Sequence, residues 1–240
     1  MALTKDAIAY AKDITDGTIL ANKYIRLQCQ SFLNDLDTNQ HNKDFRWEFS
    51  EELSDHALGF MQLFKYVEGT VAGQQVELSP WQAFLIANAY GWVDKLNDGI
   101  RRYTRLISLV GRKNAKSTVL ALVGLYELRF GPEGSQLVTM ATQKEQAKLV
   151  WNMSGRMAEI SDKRLIPAYN STVSAISNKD NWTRYWALSK ESKRLDGLNI
   201  RLAIIDEAAA IRDENLFDVV TSSMGSQLSP QTWMITTGQT

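Results

Sequence analysis

Leu106-Ile107-Ser108-Leu109-Val110-Gly111-Arg112-Lys113-Asn114-Ala115-Lys116-Ser117-Thr118 is a short apolar run that breaks into a basic turn and re-enters a helical period lasting to Phe130. A strand, a tight turn and a helix in that order is the setting in which backbone amides cradle a phosphate. The amides from Gly111 to Ala115 and those of the helix start to Thr118 are the candidate cradle. Lys116 would set a cation against the β- and γ-phosphates of ATP, and the Ser117 hydroxyl would bind Mg²⁺. The segment departs from G-x-x-x-x-G-K-[ST]. Val110 stands at the first glycine position, Gly111 comes one residue late, and Ala115 replaces the second glycine. Alone, it has two readings: an ATP site, or a basic strand-to-helix turn with Lys116 and Ser117 in solvent.

Working outward, the same alternation repeats downstream. Leu137–Ala141 precedes a helical period over Lys144–Ile160, Leu202–Ile205 precedes one over Glu214–Ser222, and Trp233–Thr237 closes the series. Short apolar runs alternating with helices predict an α/β fold with a mostly parallel central sheet flanked by helices. Of these strands, Arg201-Leu202-Ala203-Ile204-Ile205-Asp206-Glu207 ends in adjacent carboxylates about 90 residues after the turn. An aspartate at a strand end can hold Mg²⁺, and a glutamate one residue on points elsewhere and can polarise an attacking water. A helix-capping surface turn is the other reading of Asp206-Glu207. Two half-motifs in the order and setting that hydrolysis needs favour an ATPase.

Upstream the texture is helical. Ala7, Ile8, Ala11 and Ile14, then Ile19 to Leu36, then Ser50 to Tyr66 carry apolar residues at spacings of three and four, with Ser50 as an N-cap and polar Asp37–Asp44 as a loop. The expected organisation is a helical lead-in over 1–77 and an ATPase core over 78–240, although the change to strand-bearing texture comes only at Tyr103. Trp81 and Trp92, eleven residues apart, read first as core.

Composition narrows the function classes. The 240 residues carry 27 Lys plus Arg against 27 Asp plus Glu and are 44% hydrophobic, an ordinary globular balance. No apolar run approaches the roughly 20 residues of a membrane span, and charged Lys5, Asp6, Lys12 and Asp13 interrupt any signal peptide, so no membrane role is expected. A single cysteine, Cys29, and two histidines, His41 and His56, are too few for a zinc cage and fit a reducing compartment. The charge balance conceals an asymmetry, with 12 acidic and 7 basic residues over 1–79 but 15 and 20 over 80–240. Between Gly99 and Tyr126, Arg101, Arg102, Arg105, Arg112, Lys113 and Lys116 face no acidic residue in sequence. That run is a phosphate-attracting patch if the side chains converge, and a solvated face if they do not.

The ordered set of segments resembles the ATPase part of the large terminase subunit, the DNA-packaging motor of tailed phages. Leu78-Ser79-Pro80-Trp81-Gln82 is similar to its adenine-binding motif, Gly111 to Ser117 to its deviant Walker A loop with an arginine before the lysine, Ile204 to Glu207 to its Walker B strand, and Thr236-Thr237-Gly238 to its coupling motif. The resemblance implies a P-loop NTPase of the ASCE type that hydrolyses ATP with Mg²⁺ to move double-stranded DNA into a procapsid. It implies that Lys116 and Ser117 hold phosphate and Mg²⁺, Asp206 the metal, Glu207 the water, and Gln82 the adenine. Thr236, Thr237 and Gly238 would relay the γ-phosphate state. Arg112 matches the in-loop arginine; an arginine finger supplied in trans, Arg184 or Arg194, is the alternative. Beside these stand plainer readings: Gln82 as the N3 residue of a capping box on Ser79, Thr236 and Thr237 as strand residues, and basic 189–197 as a solvated loop rather than a surface for DNA or a neighbouring subunit.

The implied partners are double-stranded DNA, a small terminase subunit, a portal protein and further copies of the chain in a ring, with a monomer in isolation. The implied place is the host bacterial cytoplasm, transiently at the procapsid portal. The nuclease domain of complete members, with its acidic metal cluster, is expected to be absent from these residues. The competing expectations are another P-loop translocase or helicase-like ATPase, and a nucleotide-binding assembly module without turnover.

Overall fold

The computed structural model describes residues 1–111, 113–141, 144–189, 197–207 and 214–236. Contacts divide the chain into two compact units, Met1–Gln62 with Glu77–Tyr103, and Leu63–Val76 with Thr104–Thr240. These contact units are drawn differently from a lead-in over 1–77 and a core over 78–240. The return at Thr104 coincides instead with the change of texture after Tyr103, for reasons that lie in the packing of each unit.

The first unit holds helices α1 (Thr4–Asp16), α2 (Lys23–Asp37), α3 (Glu51–Met61) and α4 (Pro80–Gly91), with short strands β1 (Trp47–Phe49), β2 (Trp92–Asp94) and β3 (Asn97–Arg101). Ser50 caps α3, its hydroxyl accepting from the Leu53 N–H at 3.2 Å. That helix stops at Met61 rather than running to Tyr66. Beyond it the backbone is used otherwise, in an antiparallel bridge of Lys65 with Gln75 inside the second unit. Helix α4 joins the N-terminal helices because it packs on α1 and α3. Strand β2 at its end pairs antiparallel with β1 and β3, a sheet the helical reading of this region did not foresee.

Trp92 is fully buried against Phe32, Phe45 and Phe49 in edge-on geometry, as a core residue should be, while Trp81 is half-buried. Gly91 is required there, since a Cβ would fall 2.5 Å from the Phe49 ring. The same core absorbs part of the basic run. Arg102 pairs with Asp35 at 2.8 Å and lies over the Trp92 and Phe45 rings, and Arg101 lies over Tyr90. Both are held by partners within this unit.

In the second unit the strands are β4 (Arg105–Leu109), β5 (Gln136–Ala141), β6 (Tyr169–Ser171), β7 (Ile176–Asn178), β8 (Thr183–Ser189), β9 (Ile200–Asp206) and β10 (Gln231–Thr236). Among the described residues they form one sheet in the order β4-β10-β9-β5-β8-β7-β6. Pairings from β4 across to β8 are parallel, and the β8–β7 and β7–β6 pairings are antiparallel, so that β7 alone of these strands runs against the rest. Helices α5 (Lys116–Phe130), α6 (Lys144–Ile160) and α7 (Glu214–Ser222) match the helical periods in the sequence residue for residue. Val220 and Met224, at and just beyond the end of α7, pack on Val138, Met140, Ala203 and Ile205. Helices α5 and α6 pack on each other and on β5, β8 and β9. Central strands covered on both faces read as near-continuous apolar runs, which is why β9 was legible.

Behind the sheet Arg201 of β9 meets Glu127 of α5 at 3.3 Å, the side chains 5% and 1% exposed. At that depth the pair is costly to break, because the remaining charge has no water. Arg201→Ala is expected to lower unfolding free energy by about 3–5 kcal/mol, read from urea denaturation. The combined change Arg201→Met with Glu127→Leu should recover most of that loss.

Candidate active site

The sheet order decides the site. Strand β10 lies between β4 and β9, with Thr236 beside Leu109 and Ile235 beside Asp206. The carboxyl ends of three strands therefore stand side by side, the place where open parallel sheets bind ligands. The turn after β4 is tied to its neighbour at once, the Val110 N–H donating to the Thr236 carbonyl at 3.0 Å.

Within the turn the Asn114 side-chain amide donates to the Gly111 carbonyl at 3.2 Å, bracing it from inside. Lys113 at φ 65° and Ala115 at φ 52° occupy the left-handed region on either side of Asn114. The missing second glycine is thus a change of side chain and not of backbone: Ala115 adopts the conformation glycine would take, at a cost of roughly 1–2 kcal/mol. Backbone turns that mix right- and left-handed residues are a common source of anion-binding concavities. Ala115 is also the N-cap of α5 and has no side-chain oxygen to satisfy the helix's first N–H groups. No acidic residue occupies the first turn of α5, so its positive end is not neutralised from within.

Lys116, Ser117 and Thr118 are the first three residues of α5, all partly exposed. Across the gap, β9 ends at Asp206, and Glu207 follows in a left-handed conformation at φ 52°. The Asp206 carboxylate accepts the Glu207 N–H at 2.9 Å, which holds this turn. Lys116 Nζ meets Glu207 Oε1 at 2.7 Å, the side chains 14% and 37% exposed. Burial raises the Asp206 carboxyl above its ordinary value, opposed by the Lys116 charge and the Glu207 N–H. Of the four non-glycine residues with positive φ among the described residues, Lys113, Ala115 and Glu207 are at this site. Backbone strain of about 1–3 kcal/mol per residue collects where a site demands it.

The donor set suits Mg²⁺. The Ser117 hydroxyl and Asp206 carboxylate offer hard oxygen donors, and Mg²⁺ bound with a nucleotide takes only one or two protein carboxylates, its other ligands being water and phosphate oxygens. Among the described residues no three His, Cys, Asp or Glu side chains gather into a metal cage.

The other expected site residues belong to several elements. Gln82 is in the first unit on α4, buried, its carboxamide oxygen accepting the Ser79 N–H at 2.9 Å as the helix-capping reading requires. Arg184 is exposed near the start of β8, in register with Gln136 at the start of β5, and so at the end of the sheet opposite Asp206. Thr236 is the last residue of β10 and is buried. Arg112, Arg194, Thr237, Gly238 and the basic loop over 190–196 lie outside the described residues. What the sequence did not disclose is the Lys116–Glu207 contact, made across 91 positions.

Comparison with known proteins places this geometry. Residues 80–240 match the family model described as the terminase large subunit, ATPase domain. The large terminase subunit of Enterobacteria phage HK97 is 29% identical over 194 residues, covering 76% of this chain and 36% of that protein. The crystal structure of the HK97 bacteriophage large terminase superposes with a TM-score of 0.65 at 25% identity, over 76% of this chain and 37% of that one. The Thermus phage P74-26 large terminase ATPase domain is more distant, with a TM-score of 0.46 at 19% identity over 58% of this chain and 62% of that one. The chain thus spans a little over a third of the length of its HK97 relative.

Proposed function

The chain belongs to the terminase large-subunit ATPase-domain family, and from that premise we propose that it hydrolyses Mg²⁺-ATP to drive double-stranded DNA into a procapsid. The observation that carries the proposal is the convergence of Lys116, Asp206 and Glu207 at adjacent strand ends. In this reading of the ASCE-type α/β fold they serve as a cation, a metal-binding carboxylate and a second carboxylate around one polyphosphate.

In this reading residues 78–240 form the ATPase core. The amides of Gly111, Arg112, Lys113, Asn114 and Ala115 and the start of α5 through Thr118 wrap the phosphates, and Lys116 neutralises charge growing on the transferred group. Ser117 and Asp206 would hold Mg²⁺, which would supply further charge neutralisation. Glu207 orients the attacking water and accepts its proton. Gln82 contacts adenine, and Thr236, Thr237 and Gly238 transmit the outcome along β10. A further cation comes from Arg112 in the loop or from Arg184 or Arg194 of a neighbouring copy. The position of Arg184 at the far end of the sheet supports only the second route for that residue.

The proposed partners are double-stranded DNA, a small terminase subunit, a portal protein and further copies of the chain in a ring, working in the host cytoplasm and at the procapsid. Among the described residues no helix is long and apolar enough to cross a membrane. The test is phosphate release with and without Mg²⁺ over a wide range of protein concentration. Turnover is expected to need Mg²⁺, and its rate per chain to rise as copies assemble. A rate equal to the buffer background at every concentration, with DNA present, would sink the ATPase reading.

A further inference from the structure

Lys116 and Glu207 touch each other across the site. Lys116 Nζ lies 2.7 Å from Glu207 Oε1, yet the ATP-site reading, on which this inference rests, asks the ammonium to face phosphate and the carboxylate to face water. We propose that the ion pair is a latch on the site: nucleotide phosphate must draw Lys116 away from Glu207 in order to bind, and the same exchange frees the carboxylate for its water.

The latch is built on both sides. Lys116 leaves the helix directly after left-handed Ala115, and Glu207 is itself left-handed with its N–H tied to the Asp206 carboxylate at 2.9 Å. Both side chains therefore start from backbones already committed. The Lys116 side chain is only 14% exposed, so water offers a poor substitute for the carboxylate, and a polyphosphate, with more charge than one carboxylate, offers a better one. A protein whose binding-competent arrangement is a fraction of the population shows an affinity reduced by that fraction. Weakening the pair without removing Lys116 should raise it.

The experiment is fluorescent-ADP titration of the 240-residue chain, since ADP separates binding from hydrolysis. Glu207→Gln is expected to tighten ADP binding about three- to tenfold. Removing any nearby negative charge could also favour a phosphate, so the comparison is repeated in EDTA with Asp206→Asn, which takes away the adjacent carboxylate charge but leaves the pair. The latch requires Glu207→Gln to exceed Asp206→Asn. A double-mutant cycle of Lys116→Met and Glu207→Gln, read by urea unfolding without nucleotide, should show favourable coupling. Equal tightening in the two variants, or no coupling in the cycle, overturns the latch and leaves the ATPase reading standing. Failure of the wild-type chain to bind ADP overturns both.

Discussion

Lys116→Ala is expected to lower ATP turnover by at least about 10²-fold, the loss typical of removing one preorganised charge or donor from a developing oxyanion. The reason lies in how the residue is held. Lys116 opens α5 directly after a left-handed turn, with a short reach to the carboxylates at the end of β9. Its ammonium lies 2.7 Å from Glu207 Oε1. Alanine is the best helix former, so α5 should persist, and loss of a partly exposed ion pair costs at most about 1 kcal/mol of stability. The expected signature is a near-normal unfolding midpoint with weakened ADP binding and little phosphate release. Wild-type turnover in this variant would remove the cation from the mechanism and, with it, the assignment of the turn.

Glu207→Gln is expected to reduce turnover by roughly 10²- to 10⁴-fold, the range of a positioned general base. Glutamine keeps the size and the hydrogen-bonding geometry but cannot accept a proton from water. The two variants are therefore distinguished by binding: Lys116→Ala loses ADP affinity, whereas Glu207→Gln retains it and, through release of the ion pair, gains. Single-turnover phosphate release beside ADP titration reads both quantities. Full hydrolysis in Glu207→Gln would move the base to another residue, with Asp206, whose carboxyl burial raises, as the first to examine.

Much of the second unit was legible because its physics is local. Apolar periodicity marks α5, α6 and α7 to their observed ends, and β9 shows as an unbroken apolar run because helices cover both its faces. The three-residue strands β1, β2, β6 and β7 are too short to carry a period. Strand β8 mixes Arg184, Tyr185, Trp186 and Ala187, and its identity comes from pairing with β5 on one side and β7 on the other. The grouping of elements into the two contact units was not legible for a similar reason. Helix α4 and the β2–β3 hairpin belong to the first unit through contacts with α1, α3 and β1, residues far away in sequence.

By itself the sequence determined the residue types and their local settings: a strand-turn-helix carrying Lys116 and Ser117, and an apolar strand ending in Asp206 and Glu207. It also showed that two motif glycines were missing. Only the tertiary structure decided what those departures mean, since Ala115 takes the left-handed backbone that its side chain disfavours. Only the insertion of β10 between β4 and β9 brings the two motifs together across 91 positions and lets Lys116 meet Glu207. Local periodicity reports what one element buries. Which strand ends become neighbours depends on long-range hydrogen bonding and packing of the whole sheet, and the chemistry depends on those neighbours.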